Sequence, residues 1–166
     1  MRQSRFGREA RKVVEGAMIE AGELGSRSLE AEHLLLALAR RETTPAGAVL
    51  AGAGLDHDGV REALGAEVER SLRAVGIDAA DFPLRPRHSL GRRPRPAESF
   101  KLALRRGNAI ALSRRDRHTN PLHVLLGVLD APVGTVPRAL DAAGIDAADL
   151  RAAAAAALSP RTAGTA

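Results

Sequence analysis

The 166-residue sequence predicts an all-α fold, and three observations carry the prediction. First, aromatic residues make up 2% of the chain and Trp and Tyr are absent, against 45% hydrophobic residues overall. The core must be built from Leu, Val, Ile and Ala; Ala and Leu favour helices, while the β-formers Tyr, Trp and Thr are scarce. Second, apolar residues recur at three- and four-residue steps over most of the chain. Third, a shift of 90 positions aligns His33 with His123, Leu35-Leu36 with Leu125-Leu126, Leu50 with Leu140, Ala53-Gly54 with Ala143-Gly144 and Asp56 with Asp146, without a gap. A repeat of this length means two related helical units.

The elements follow in order. Ala10, Val13, Val14, Ala17, Met18 and Ala21 form an amphipathic stripe that Gly22 and Gly25 close. The segment Glu30–Arg40 is a short helix with a dense apolar face of Leu34, Leu35, Leu36 and Leu38. A third helix starts near Pro45, a residue suited to the first helical turn, and stops at Gly52 to Gly54. Asp56 caps a fourth, which carries Val60, Leu64, Val68 and Leu72. The second unit repeats the order. A helix covers about Ala97 to Arg114, and Asn120 caps the next with Pro121 at its first position. A third helix surrounds Val136 to Ala143, and Asp146 caps a last one that ends in an Ala run. The expected organisation is a first unit at 1–75, a Pro/Arg-rich linker at 76–96, a second unit at 97–158 and a flexible tail at 159–166. Units this small expose apolar surface when alone, so the two are expected to pack about a pseudo-two-fold axis.

Composition narrows the function classes. There is no Cys, which excludes disulfides and thiolate chemistry, and a thiolate metal site with them. No apolar run reaches the roughly 18 residues of a membrane span. The N-terminus lacks the apolar stretch of a signal peptide, so a cytoplasmic protein is expected, with no membrane association. The formal charge of +5 invites a nucleic-acid reading. The basic stretch that would serve it holds Arg85, Arg87, Arg92, Arg93 and Arg95, with no acid between 85 and 96. A solvated charge run is the commoner outcome of such a stretch. The Pro residues here deny it a regular ladder. No pairing of nucleophile and base and no metal cluster is recognisable, so neither an enzyme nor a cofactor is expected.

The stretch Phe6–Arg40 and the ends "VLAGAGLD" and "ALDAAGID" resemble the Clp repeat N-terminal domain family, the N-domains of Clp/Hsp100 ATPases such as ClpA and ClpC. The resemblance covers both units, about 5–75 and 97–158. It implies an all-α, non-catalytic double repeat that receives substrate and adaptor proteins, with a Clp ATPase as a further partner. In the ClpC branch it also implies phosphoarginine recognition and a site for cyclic peptide antibiotics. No GxxxxGK[ST] phosphate loop occurs, so ATP hydrolysis by that route is excluded, and the expectation is a stand-alone or excised N-domain. The family's Thr-Glu-His motif stands as Ala31-Glu32-His33 in unit one and Pro121-Leu122-His123 in unit two. A guanidinium needs a carboxylate for its bidentate fork. Glu32 supplies one and Leu122 does not, so phosphoarginine recognition is at best half kept. Where ClpC-type members carry an early Phe this chain has Gln3, and Phe6 matches the second aromatic.

The candidate surface is the groove between the units, near Phe6, Glu32 and Leu122. Glu32, in the first turn of its helix, also satisfies the helix dipole. His33 and His123 have no second His at i+4, so metal ligation is not indicated, and each imidazole is expected to bond a neighbouring loop carbonyl as a structural motif. The resulting expectation is a protein- or peptide-binding module that modulates Clp-dependent proteolysis or sequesters its ligands; the alternative is a nucleic-acid-associated helical protein using the basic stretch.

Overall fold

A computed structural model describes residues 5–81 and 93–158. Arg85, Arg87 and Arg92, the early residue Gln3 and the tail 159–166 lie outside the described residues. Among the described residues the chain forms α1 (Arg8–Glu23), α2 (Ala31–Ala39), α3 (Pro45–Gly52), α4 (His57–Ala74), α5 (Glu98–Ser113), α6 (Pro121–Leu129), α7 (Thr135–Ala142) and α8 (Ala147–Ala157). A 3-10 turn at Ala79–Asp81 follows α4. The all-α architecture is as expected.

Local chemistry fixes the helix starts. The Thr44 hydroxyl accepts from the Gly47 amide at 3.2 Å, with Pro45 at the first helical position. Asp56 Oδ1 accepts from the Gly59 amide at 2.8 Å, and Asp146 Oδ1 from those of Ala148 and Asp149. These side chains satisfy amide groups that a helix start leaves without partners. The first helix ends where Gly25, at φ 65°, reverses the chain and Ser26 donates to the Ala21 carbonyl at 2.8 Å.

The core runs through the middle of both units. All of α6, and all of α2 except Glu32, is buried. Around these two helices pack one face of α1 (Ala10, Val13, Ala17, Ala21), Leu50 of α3, Val60 and Ala63 of α4, and Phe100 and Ala103 of α5. Burying a Leu or Val side chain is worth about 1.5–3 kcal/mol, and the Leu-rich pair of helices is the main source of stability. The α5–α6 contact is the tightest. A Cβ on Gly127 would stand 2.1 Å from the Ala103 carbonyl oxygen, and one on Gly107 2.5 Å from that of His123. Unit one has Ala17 and Ala37 at the equivalent positions.

Four two-residue strands were not expected. β1 (Arg5–Phe6) pairs in parallel with β4 (His118–Thr119), and β2 (Ser28–Leu29) with β3 (Arg95–Pro96). Each ribbon joins the leading strand of one unit to an inner strand of the other. The expectation that proline denies the basic stretch any ladder is corrected at Arg95 and Pro96. The Arg95 amide donates to the Arg27 carbonyl at 3.1 Å and the Ala97 amide to that of Leu29 at 2.9 Å. Successive amides of a strand point to opposite sides, so the missing N–H of Pro96 falls on the side away from the partner.

Candidate functional site

Glu32 is the one half-buried residue of α2, in its first turn, where the helix dipole favours a carboxylate. Two clefts flank it. One, of about 420 Å³, lies between α2 and α4, walled by Leu24, Leu36, Leu64 and Val68. The other, of about 350 Å³, lies between the units and is bounded by Glu30, Ser99, Arg106 and the 131–138 segment. Glu32 and Thr135 line both. Thr135 stands beside the Glu32 carboxyl and favours its charged form. Burial, then the neighbouring Glu30, hold that carboxyl above the usual carboxylate range, against the pull of its own backbone amide and of Thr135. Ser99 ties the units together beside it, donating to Glu30 Oε2 at 2.5 Å and accepting from the Ala31 amide at 3.1 Å.

The structure does not gather the three residues the sequence singled out. Phe6 is half-buried in β1 and lines a separate open cleft with Arg8, Arg11, Lys12, Glu15 and His118. Leu122 is 5% exposed, a core residue of α6, and lines none of these three clefts. Arg93 and Arg95 are exposed.

His33 and His123 are 1% and 0% exposed. The Glu30 amide donates to Nδ1 of His33 at 2.9 Å, and the Asn120 amide to Nδ1 of His123 at 3.1 Å. Nδ1 therefore carries no proton, and the Nε2 hydrogens face Ser26 Oγ at 3.2 Å and Asp116 Oδ2 at 2.9 Å. In α6 the exchange is reciprocal, because Asn120 Oδ1 accepts from the His123 amide at 3.2 Å. His123 thus takes the place that Glu or Gln holds in an ordinary capping box. The partner is an amide donor of the helix start, where the sequence reading assigned a loop carbonyl. Burial holds both imidazoles below their usual range, outweighing the Glu30 and Asp116 carboxylates.

Sequence reasoning missed Thr135, Ser99 and Arg138, which reach the site only through the packing of unit two on unit one. It also left Leu64 and Val68 undivided from the apolar stripe of α4. The residues that α4 buries are Val60, Ala63 and Glu67, so Leu64 and Val68 turn toward the cleft. Their four-residue spacing was the available signal.

Among the described residues no three His, Asp or Glu side chains gather as a metal-binding group, and no helix is long and apolar enough to cross a membrane.

A family model described as the Clp repeat (R) N-terminal domain matches residues 5–89 and 95–164. The N-terminal domain of the caseinolytic protease associated chaperone ClpD from Arabidopsis thaliana shares the fold, with a TM-score of 0.66 at 21% identity over 93% of this chain and 95% of that one. The Hsp104 N-terminal domain from Candida albicans matches with a TM-score of 0.62 at 18% identity, over 92% and 91% of the two chains. No curated protein sequence matches the chain.

Proposed function

The chain belongs to the Clp repeat N-terminal domain family, and from that membership we propose that it is a non-catalytic module that binds protein or peptide segments of Clp substrates or adaptors. In Clp ATPases this domain is a binding module and not a catalytic one. The finer role proposed is to modulate Clp-dependent proteolysis or to sequester its ligands. The observation that carries the reading is the half-buried Glu32 carboxyl at the edge of the inter-unit cleft, with a buried Leu122 at the equivalent place of unit two. A carboxylate in a partly dry cleft accepts a guanidinium through two parallel hydrogen bonds, and an aliphatic side chain offers none. The module therefore reads an arginine-type group once, through unit one.

The test is retention of arginine-phosphorylated casein by the immobilised chain, with unmodified casein as reference. The expected result is saturable retention at one site per chain, weakened at least tenfold by Glu32→Gln. Retention of neither form, or equal retention by Glu32→Gln, overturns the reading. The nucleic-acid alternative rests on Arg93 and Arg95, which are exposed, and on Arg85, Arg87 and Arg92, which lie outside the described residues.

A further inference from the structure

The inter-unit cleft of about 350 Å³ holds charges of both signs that the chain does not pair with one another. Glu30 and Glu32 stand on the unit-one side, and neither has an ion pair among the described residues. The Ser99 hydroxyl, not a cation, holds Glu30. Arg106 of α5 stands on the unit-two side, half-buried and also without an ion pair among the described residues. Arg138, the other guanidinium of the lining, is taken by Glu67. Leu102, Val128 and Val136 wall the cleft, and partly buried charges are screened less than exposed ones.

The repeat offers this place twice, and the second copy is filled differently. The shift of 90 positions carries Glu30 onto Asn120, Glu32 onto Leu122 and Arg106 onto Gly16. The charges of that copy are Glu9, Lys12 and Arg41, at the positions equivalent to Ser99, Leu102 and Ala131. They bind each other, with Glu9 accepting from both cations. One copy therefore closes its charges on itself, and the other keeps an acidic end and a basic end apart. Partly buried charges without partners cost stability, so their joint presence in one copy points to a joint use.

The spacing of the two ends selects the ligand. Ser99, which touches Glu30 and Ala31, stands seven residues before Arg106, or about 10 Å of helix. In an extended peptide, residues i and i+2 share a face and lie about 7 Å apart, and long side chains span the rest. We propose that Arg106 sets the specificity of the inter-unit cleft by pairing with an acidic side chain two residues from the arginine that Glu32 reads. This rests on the reading of the chain as an arginine-binding module, and it narrows the ligand to segments in which an arginine and a carboxylate alternate with a third residue. A ligand of both charges satisfies Glu32 and Arg106 together, which neither an acidic nor a basic segment does.

The experiment is fluorescence anisotropy on the full chain with three labelled, C-terminally amidated peptides. Gly-Glu-Ser-Arg-Ser-Glu-Gly has the proposed spacing in both directions, Gly-Ser-Glu-Arg-Glu-Ser-Gly has the same composition with the acids on the opposite face, and Gly-Gln-Ser-Arg-Ser-Gln-Gly has none. The wild type is expected to bind the first roughly tenfold more tightly than the other two, the size of one charge-assisted hydrogen bond. Arg106→Gln is expected to erase that preference without lowering the thermal midpoint, Arg106→Lys to restore part of it, and Glu32→Gln to weaken all three peptides. Arg61, exposed on the α2–α4 side of Glu32, is the control cation, and Arg61→Gln is expected to keep the preference. The proposal is overturned by affinities of the first two peptides within twofold, by a preference that survives Arg106→Gln, or by one that falls with Arg61→Gln. Loss of arginine-phosphorylated casein retention in Arg106→Gln, with no preference among the peptides, also overturns it and assigns Arg106 to the phosphoryl group. Casein retention separates the two readings: casein retained with the peptides undistinguished sinks this one alone, whereas neither casein nor any peptide bound sinks both.

Discussion

His123 holds its helix start through the state of one proton. Because Nδ1 accepts the Asn120 amide, a second ring proton would turn that acceptor into a donor facing a donor. His33 is placed in the same way against Glu30. Both imidazoles have folded pKa values below the ordinary value of 6.5. The unfolded chain therefore binds more protons in the window below 6.5, and stability falls as pH drops through it. Glu32, raised from 4.5, works the other way, its contribution being present below 4.5 and lost as pH rises. His123→Gln separates the two effects, since Gln can accept the cap amide and donate to Asp116 without titrating. Urea unfolding is expected to show the gap between His123→Gln and wild type moving in favour of the variant from pH 7.5 to 5.5; a gap independent of pH contradicts the assignment. The two histidines stood out in the sequence because the repeat pairs them. Their partners did not, because an amide donor at a helix start depends on backbone conformation and not on residue type.

Helix starts and ends were readable because their chemistry is local. Asp56, Asn120, Asp146, Pro45 and Pro121 each act within three or four residues of themselves. The two-residue strands carry no alternation to read, and their partners stand about 70 to 110 positions away. Helix pairing lies between these cases. By propensity alone Gly107 and Gly127 weaken α5 and α6, yet they are where the two helices meet backbone to backbone. Gly127→Ala places a methyl carbon 2.1 Å from the Ala103 oxygen and must force the helices apart. The expected cost is about 1–3 kcal/mol, the range of overpacked cores, measured by chemical denaturation. Had propensity alone decided, the same change would stabilise by about 1 kcal/mol; that result would show the contact to be slack.

At the scale of the whole molecule, the two units are not independent bodies. Besides the ribbons, Glu67 of α4 accepts from Arg138 of α7 at 2.8 Å, and Asp141 of α7 from Arg70 at 2.6 Å. The first pair is partly dry: burial works against the Glu67 charge, and Arg138 and Ser71 more than offset it. The second is exposed at both ends and is worth at most about 1 kcal/mol. The repeat made the two-unit plan legible, whereas the binding surface was legible only in part, because Thr135 reaches Glu32, and Ser99 reaches Glu30 and Ala31, from the other unit. A fragment of residues 1–90 lacks the strand that covers Leu29 and the helix that covers α2. Calorimetry is expected to find no cooperative unfolding transition for it, against a single transition for the full chain; a sharp transition in the fragment would show the units to be self-sufficient.

The exchanged strands also say what the covalent join between the units is for. Each unit lends a two-residue strand that precedes its first helix to the other, which is the connectivity of a swapped dimer written into one chain. The join then acts as a local concentration, of about millimolar order for linked modules. Cutting the chain between the units would therefore not abolish the fold but make it dilution-dependent, by about 4 kcal/mol at that concentration. The molecule is in this sense a complex of two halves that is never permitted to dissociate.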